Sequence, residues 1–91
     1  MTMTLDALRN EIDALDADIV RLLSERAAAA AQVGHAKREQ GIVICDPSRE
    51  VNVLNVASEN STAPMDDAGI RSIYREIIAV CSRIQADLKD D

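Results

Sequence analysis

LDALRNEIDALDADIVRLLSERAAAAAQVGHAKREQ, residues 5–40, decides the fold. Apolar residues recur through Leu5, Leu8, Ile12, Leu15, Ile19, Leu22, Leu23, Ala30 and Val33. That is the spacing of one helical face. Asp18, Arg21, Glu25, Gln32 and Glu39 fall on the opposite face and read as solvated. Thr4 is placed to cap the start, and Gly41 to close the end in a left-handed conformation. Gly34 costs only ~1 kcal/mol in a helix interior, too little to break it. A helix of about 36 residues is ~54 Å long. A compact chain of 91 residues has a radius of gyration near ~12 Å. It cannot cover such a helix by itself. The apolar stripe therefore calls for a second copy, with the first helices paired along their length. A monomeric bundle would require a break near Gly34.

Further along, Ile42-Val43-Ile44-Cys45 reads as a short apolar loop, since four residues without a partner make a poor strand. Asp46-Pro47 opens a second helix, with Asp as N-cap and Pro at the first helical position. It is expected to reach about Ser58, with Val51, Leu54 and Ala57 inward. Residues 59–64 form a linker. Asp66 then caps a third helix carrying Ile70, Ile73, Tyr74, Ile77, Cys81, Ile84 and Leu88 on one face. The tail Lys89-Asp90-Asp91 is polar. The expected fold is all-α: one domain, residues 1–91, of three helices (long, short, long) in an intertwined homodimer.

Hydrophobic residues make up 47% of the chain, with no Trp, no Phe and a single Tyr. A core of Leu, Ile, Val and Ala suits helix packing. The net charge of −6 argues against a nucleic-acid face and against an anionic membrane surface. Cys45 and Cys81 form no C-x-x-C or metal-ligand pattern, and read as reduced thiols. MTMTLDALRNE lacks the basic and apolar regions of a signal peptide. No apolar run approaches the ~18–20 residues of a membrane span. A cytoplasmic location is expected.

Two cations interrupt the apolar stripe. Arg26 and Lys37 are eleven residues apart, about three helical turns, and project to nearly the same side. Their roots are ~16 Å apart. Burying a charge without a partner costs several kcal/mol. Something anionic must meet them, either a protein carboxylate across a dimer or a ligand. Arg9 lies at the edge of the same stripe, so in an antiparallel pair it would approach the other chain's pocket. Ala29 and Ala30 are too small to fill a core layer; they suit both close helix packing and room for a ligand. His35 projects to the polar side. There is no Gly-rich phosphate loop, no H-E-x-x-H and no G-x-S-x-G. What remains is a pocket of fixed cations and donors. It suits a reaction that needs orientation and charge stabilisation without proton transfer.

At this point the residues resemble a known family, the all-helical chorismate mutases. The matching stretches are L-R-N-E-I-D-A-L-D, L-L-S-E-R, V-G-x-A-K, D-P-S-R-E and Y-R-E-I-I followed by Gln85. They fall in family order over about residues 5–86. The resemblance implies an intertwined dimer whose two active sites draw on both chains. It implies the Claisen rearrangement of chorismate to prephenate, in phenylalanine and tyrosine biosynthesis, with no cofactor, no metal and no covalent intermediate. Carried over by motif, Arg26 binds one substrate carboxylate, and Arg9 of the partner chain binds the other. Lys37 and Gln85 donate to the ether oxygen. Glu50 holds the ring hydroxyl with the backbone at Asp46, and Arg49 orients Glu50 or that hydroxyl. Val33 and Ile78 line the ring. Cys81 replaces a Ser common among relatives, and a thiol is the weaker donor. Gln85 stands where some relatives have Glu. Two other readings compete. One is an isochorismate-pyruvate lyase of related fold, against which D-P-S-R-E and Gln85 speak. The other is a non-catalytic dimerisation or regulatory module of a larger aromatic-pathway enzyme. Ending at Asp91 after a polar tail suits a free-standing enzyme.

Overall fold

A computed structural model describes residues 3–43 and 45–87. Ile44, Leu88 and the tail Lys89–Asp91 lie outside the described residues. Three helices follow in order: α1 Leu5–Gln40, α2 Pro47–Asn60 and α3 Asp67–Ala86. Each begins at a side-chain cap. Thr4 Oγ1 accepts from Ala7 N at 3.1 Å, Asp46 Oδ1 from Arg49 N at 3.1 Å, and Asp66 Oδ1 from Gly69 N at 2.6 Å. These caps satisfy amide donors that the first turn leaves without partners. At Gly69 a side chain would press on its own cap, because a Cβ there would lie 2.8 Å from Asp66 Oδ1.

α1 runs unbroken through Gly34 for 36 residues. It ends where Gly41 turns left-handed at φ 69°. Gly41 N donates to the Arg38 carbonyl and Ile42 N to the Lys37 carbonyl, the paired closure that a glycine at this position makes cheap. α2 extends two residues past Ser58, to Asn60.

α3 is the hub. It packs against both α1 and α2, which among the described residues make no close backbone contact with each other. The buried positions among the described residues are small ones on α1 and α3: Ala30, Gly34 and Cys81. Arg71 ties α2 to α3, with Nε donating to Asp67 at 2.9 Å and Nη2 to Asn55 Oδ1 at 3.2 Å. Ser58 donates its hydroxyl to Asp67 as well.

The molecule is 58 Å long but only 14 Å thick, with a radius of gyration of 16.7 Å. A compact chain of this length would have ~12 Å. The reason is α1. From Leu8 to Glu25 all of its residues are exposed, Leu15 at 53% and Ile19 at 52% among them. One sequence expectation is corrected on α2. Val51 is not inward but 57% exposed, and Val53 faces the interior in its place. The helical turn that directs Glu50 and Val53 to one side directs Val51 away. Among the described residues, no helix is long and apolar enough to cross a membrane.

Candidate active site

Where the C-terminal half of α1, the start of α2 and the end of α3 converge, they enclose a cavity of about 280 Å³. Each element supplies a strip of neighbours three or four residues apart, the spacing that lines up side chains on one helix face. α1 contributes Arg26, Ala29, Ala30, Val33 and Lys37. The start of α2 contributes Asp46, Arg49, Glu50 and Val53, and α3 contributes Ile78, Cys81, Ser82 and Gln85. Of the ten residues singled out in the sequence, nine lie on this wall. Arg9 does not. It sits 17 positions before Arg26 on the same straight helix, ~25 Å away along its axis.

Arg26 and Lys37 are both half-buried here. Arg26 has no carboxylate partner among the described residues. Its Nη1 instead donates to Cys81 Sγ at 3.1 Å. Lys37 faces the α2 cap across the cavity mouth. The Asp46 carboxyl is held below its ordinary value by the Ser48 hydroxyl and the Arg49 amide that donate to it, and by the nearby Lys37 ammonium. The Ser48 bond is 2.8 Å long. The cap thus lies within electrostatic reach of the Lys37 ammonium.

Gln85 Oε1 is buried with no hydrogen-bond partner among the described residues. Leaving such an oxygen unmet costs ~1–3 kcal/mol. Among the described residues, no three His, Cys, Asp or Glu side chains converge to hold a metal ion. The wall carries three cations and two carboxylates, so its net formal charge is positive inside an acidic chain. Such a wall favours an anion over a cation.

A second cavity, of about 400 Å³, lies between α2 and α3 and shares Arg26, Arg49 and Val53 with the first. Its remaining wall includes Val56, Ala57, Ile70 and Tyr74. It lacks Lys37 and Gln85.

Four wall residues are not among those ten: Ala29 and Ala30, whose small size the sequence reading set against either close packing or ligand space, and Val53 and Ser82, which it did not single out. For the last two the signal was present in the spacing. Val53 stands three residues after Glu50, and Ser82 four after Ile78.

Comparisons with known proteins follow the same lines. The family model for chorismate mutase type II matches residues 8–86. The chain is 35% identical over 92 residues to the bifunctional chorismate mutase/prephenate dehydratase of Neisseria gonorrhoeae, a match covering 97% of this chain and 25% of that protein. The chain therefore spans about a quarter of that relative's length. Form II of the chorismate mutase of Thermus thermophilus superposes with a TM-score of 0.89 at 30% identity, covering 94% of this chain and 98% of that one. The chorismate mutase of Helicobacter pylori, solved in complex with prephenate, gives a TM-score of 0.82 at 29% identity, covering 93% and 97%.

Proposed function

The chain belongs to the chorismate mutase type II family, and from that premise we propose that it rearranges chorismate to prephenate in the cavity between its three helices. The observation that carries this reading is the convergence of Arg26, Lys37, Arg49, Glu50 and Gln85 on one wall. They come from three helices and meet around a space the size of one small molecule.

The reaction is an intramolecular Claisen shift. A C–O bond breaks as a C–C bond forms, and negative charge gathers on the ether oxygen. No proton need move. The protein's work is to hold the substrate folded and to stabilise that charge. In this reading Arg26 takes a substrate carboxylate. Lys37 and the Gln85 amide donate to the ether oxygen. Glu50 accepts from the ring hydroxyl with help from the Asp46 backbone, and Arg49 orients it. Val33 and Ile78 flank the ring.

The same reading makes the active protein an intertwined homodimer. The exposed stripe through Leu8, Ile12, Leu15, Ile19 and Leu22 is then covered by the partner's α1. An apolar face of that extent is otherwise a liability in water. Arg9 of the partner would complete each cavity. Its charge would raise the wall from a net of one positive charge to two, which matches a dicarboxylate. The catalytic unit is the single domain of residues 1–91.

The test is direct. Purified protein is mixed with chorismate, loss of substrate absorbance is followed, and the product is identified. Prephenate supports the reading. Turnover of isochorismate to salicylate and pyruvate would replace it with a lyase. No turnover of either would leave a binding or regulatory module.

A further inference from the structure

We propose that Cys81 is a positioning residue for Arg26, holding the guanidinium on the cavity wall through its sulfur. The contact joins residues 55 apart in sequence, with Arg26 Nη1 3.1 Å from Cys81 Sγ. A guanidinium has only donors, so the sulfur is the acceptor. Cys81 is the most enclosed apolar side chain described, at 6% exposure. It therefore cannot swing away, and Arg26 is anchored to a fixed point.

The choice of acceptor matters. A long arginine side chain carries considerable rotamer freedom, and ordering it when a ligand arrives weakens binding. A carboxylate at position 81 would order Arg26 but cancel its charge. An apolar side chain would leave it loose. A neutral sulfur orders the guanidinium and leaves its positive charge available to an incoming anion. No ion pair competes, because Arg26 has no carboxylate partner among the described residues. On this view Cys81 acts on the substrate only through Arg26, as a weak acceptor and not as a donor to the substrate.

The kinetic part of this inference rests on the mutase reading; the structural part does not. Cys81→Ala and Cys81→Ser are the informative pair. They differ by one hydroxyl, which can accept from Arg26 and also donate, at nearly equal volume, so lost packing affects both alike. In Cys81→Ala, KM for chorismate should rise about three- to ten-fold with kcat within about two-fold, the mark of weakened binding shared by ground and transition states. Cys81→Ser should recover at least about half of that rise. Independently of turnover, the Arg26 Nε–H signal in a 1H–15N spectrum should be resolved in the unaltered protein and in Cys81→Ser, and averaged in Cys81→Ala. Equal KM rises in the two variants would assign Cys81 a packing role and overturn the proposal. An Arg26 signal already averaged in the unaltered protein, or unmoved in Cys81→Ala, would overturn it too. If the signals behave as expected while chorismate is not consumed, the mutase reading falls and the positioning contact stands.

Discussion

From Leu8 to Glu25, α1 shows its apolar stripe to solvent, whereas from Arg26 to Gln40 the same helix reaches α3 and lines a cavity. The two halves share one periodicity and one unbroken backbone. They differ in what stands opposite them. In the second half, Ala30 and Gly34 are buried, and Arg26 and Lys37 replace apolar residues on the inner side. In the first half the inner side is Leu and Ile, with nothing from the described chain to cover it. On the proposed reading, the first half meets another protein surface and the second a charged small molecule.

The largest effect should come from charging the first half. Ile19→Glu places a carboxylate in the middle of the stripe. If two α1 helices pair there, each dimer buries two such charges, at several kcal/mol each. Sedimentation should show dissociation, and circular dichroism a loss of helix content, with activity lost alongside. A dimer that survives Ile19→Glu would mean the stripe is not the contact. Next in size is Lys37→Ala in the second half. Removing one donor aimed at developing negative charge typically costs about 10²- to 10³-fold in kcat. The dimer should remain intact by sedimentation, which separates the two halves cleanly. Unchanged turnover would sink the proposed role of Lys37.

What the sequence disclosed follows the same division. Both halves of α1 were legible because one spacing runs through them and caps mark each end. The cavity wall was legible residue by residue, since each strip repeats every three or four positions. The contact between Arg26 and Cys81 was not. It depends on how α3 crosses α1, and no periodicity fixes a crossing. Val51 was misplaced for a different reason. Val51, Val53, Leu54 and Val56 put apolar residues on several sides of α2, so the spacing alone names no unique inner face. Ser82 was passed over because a serine within an apolar face reads as tolerated filler until the cavity beside it is seen.

A smaller effect should sharpen the picture of the second half. Gln85→Glu exchanges an amide that donates at any ordinary pH for a carboxyl that donates only when protonated. The unaltered protein should keep its activity between about pH 6 and pH 9, with no single ionisation at this site controlling it. Gln85→Glu should be active in acid and lose activity as pH rises through the new carboxyl's pKa. Matching pH profiles for kcat in the two proteins would remove Gln85 from the reacting centre.

The smallest effect concerns two carboxylates at the starts of α2 and α3, the cap Asp46 and the first residue of α3, Asp67. Asp46 is held below the ordinary carboxylate value by Ser48, the Arg49 amide and Lys37. Asp67 is held below it by Ser58 and Arg71. A carboxyl with a depressed folded pKa contributes stability that is present above its unfolded value, 3.8 here, and lost as pH falls through the folded one. Both groups are exposed, so solvent screening keeps the contribution modest. Asn remains a good N-cap but cannot ionise. Asp46→Asn should therefore cost the protein little near neutral pH, and its Tm should fall less steeply than that of the unaltered protein between about pH 5 and pH 2.5. Parallel Tm curves would show that the Asp46 charge is not coupled to folding. Equal slopes in Asp46→Asn but a shallower one in Asp67→Asn would move the acid-sensitive joint from the cavity mouth to the α2–α3 turn, since Asp67 joins those helices and Asp46 faces α1. Either result would refine how the starts of α2 and α3 are held, while the first half of α1 meets neither carboxylate.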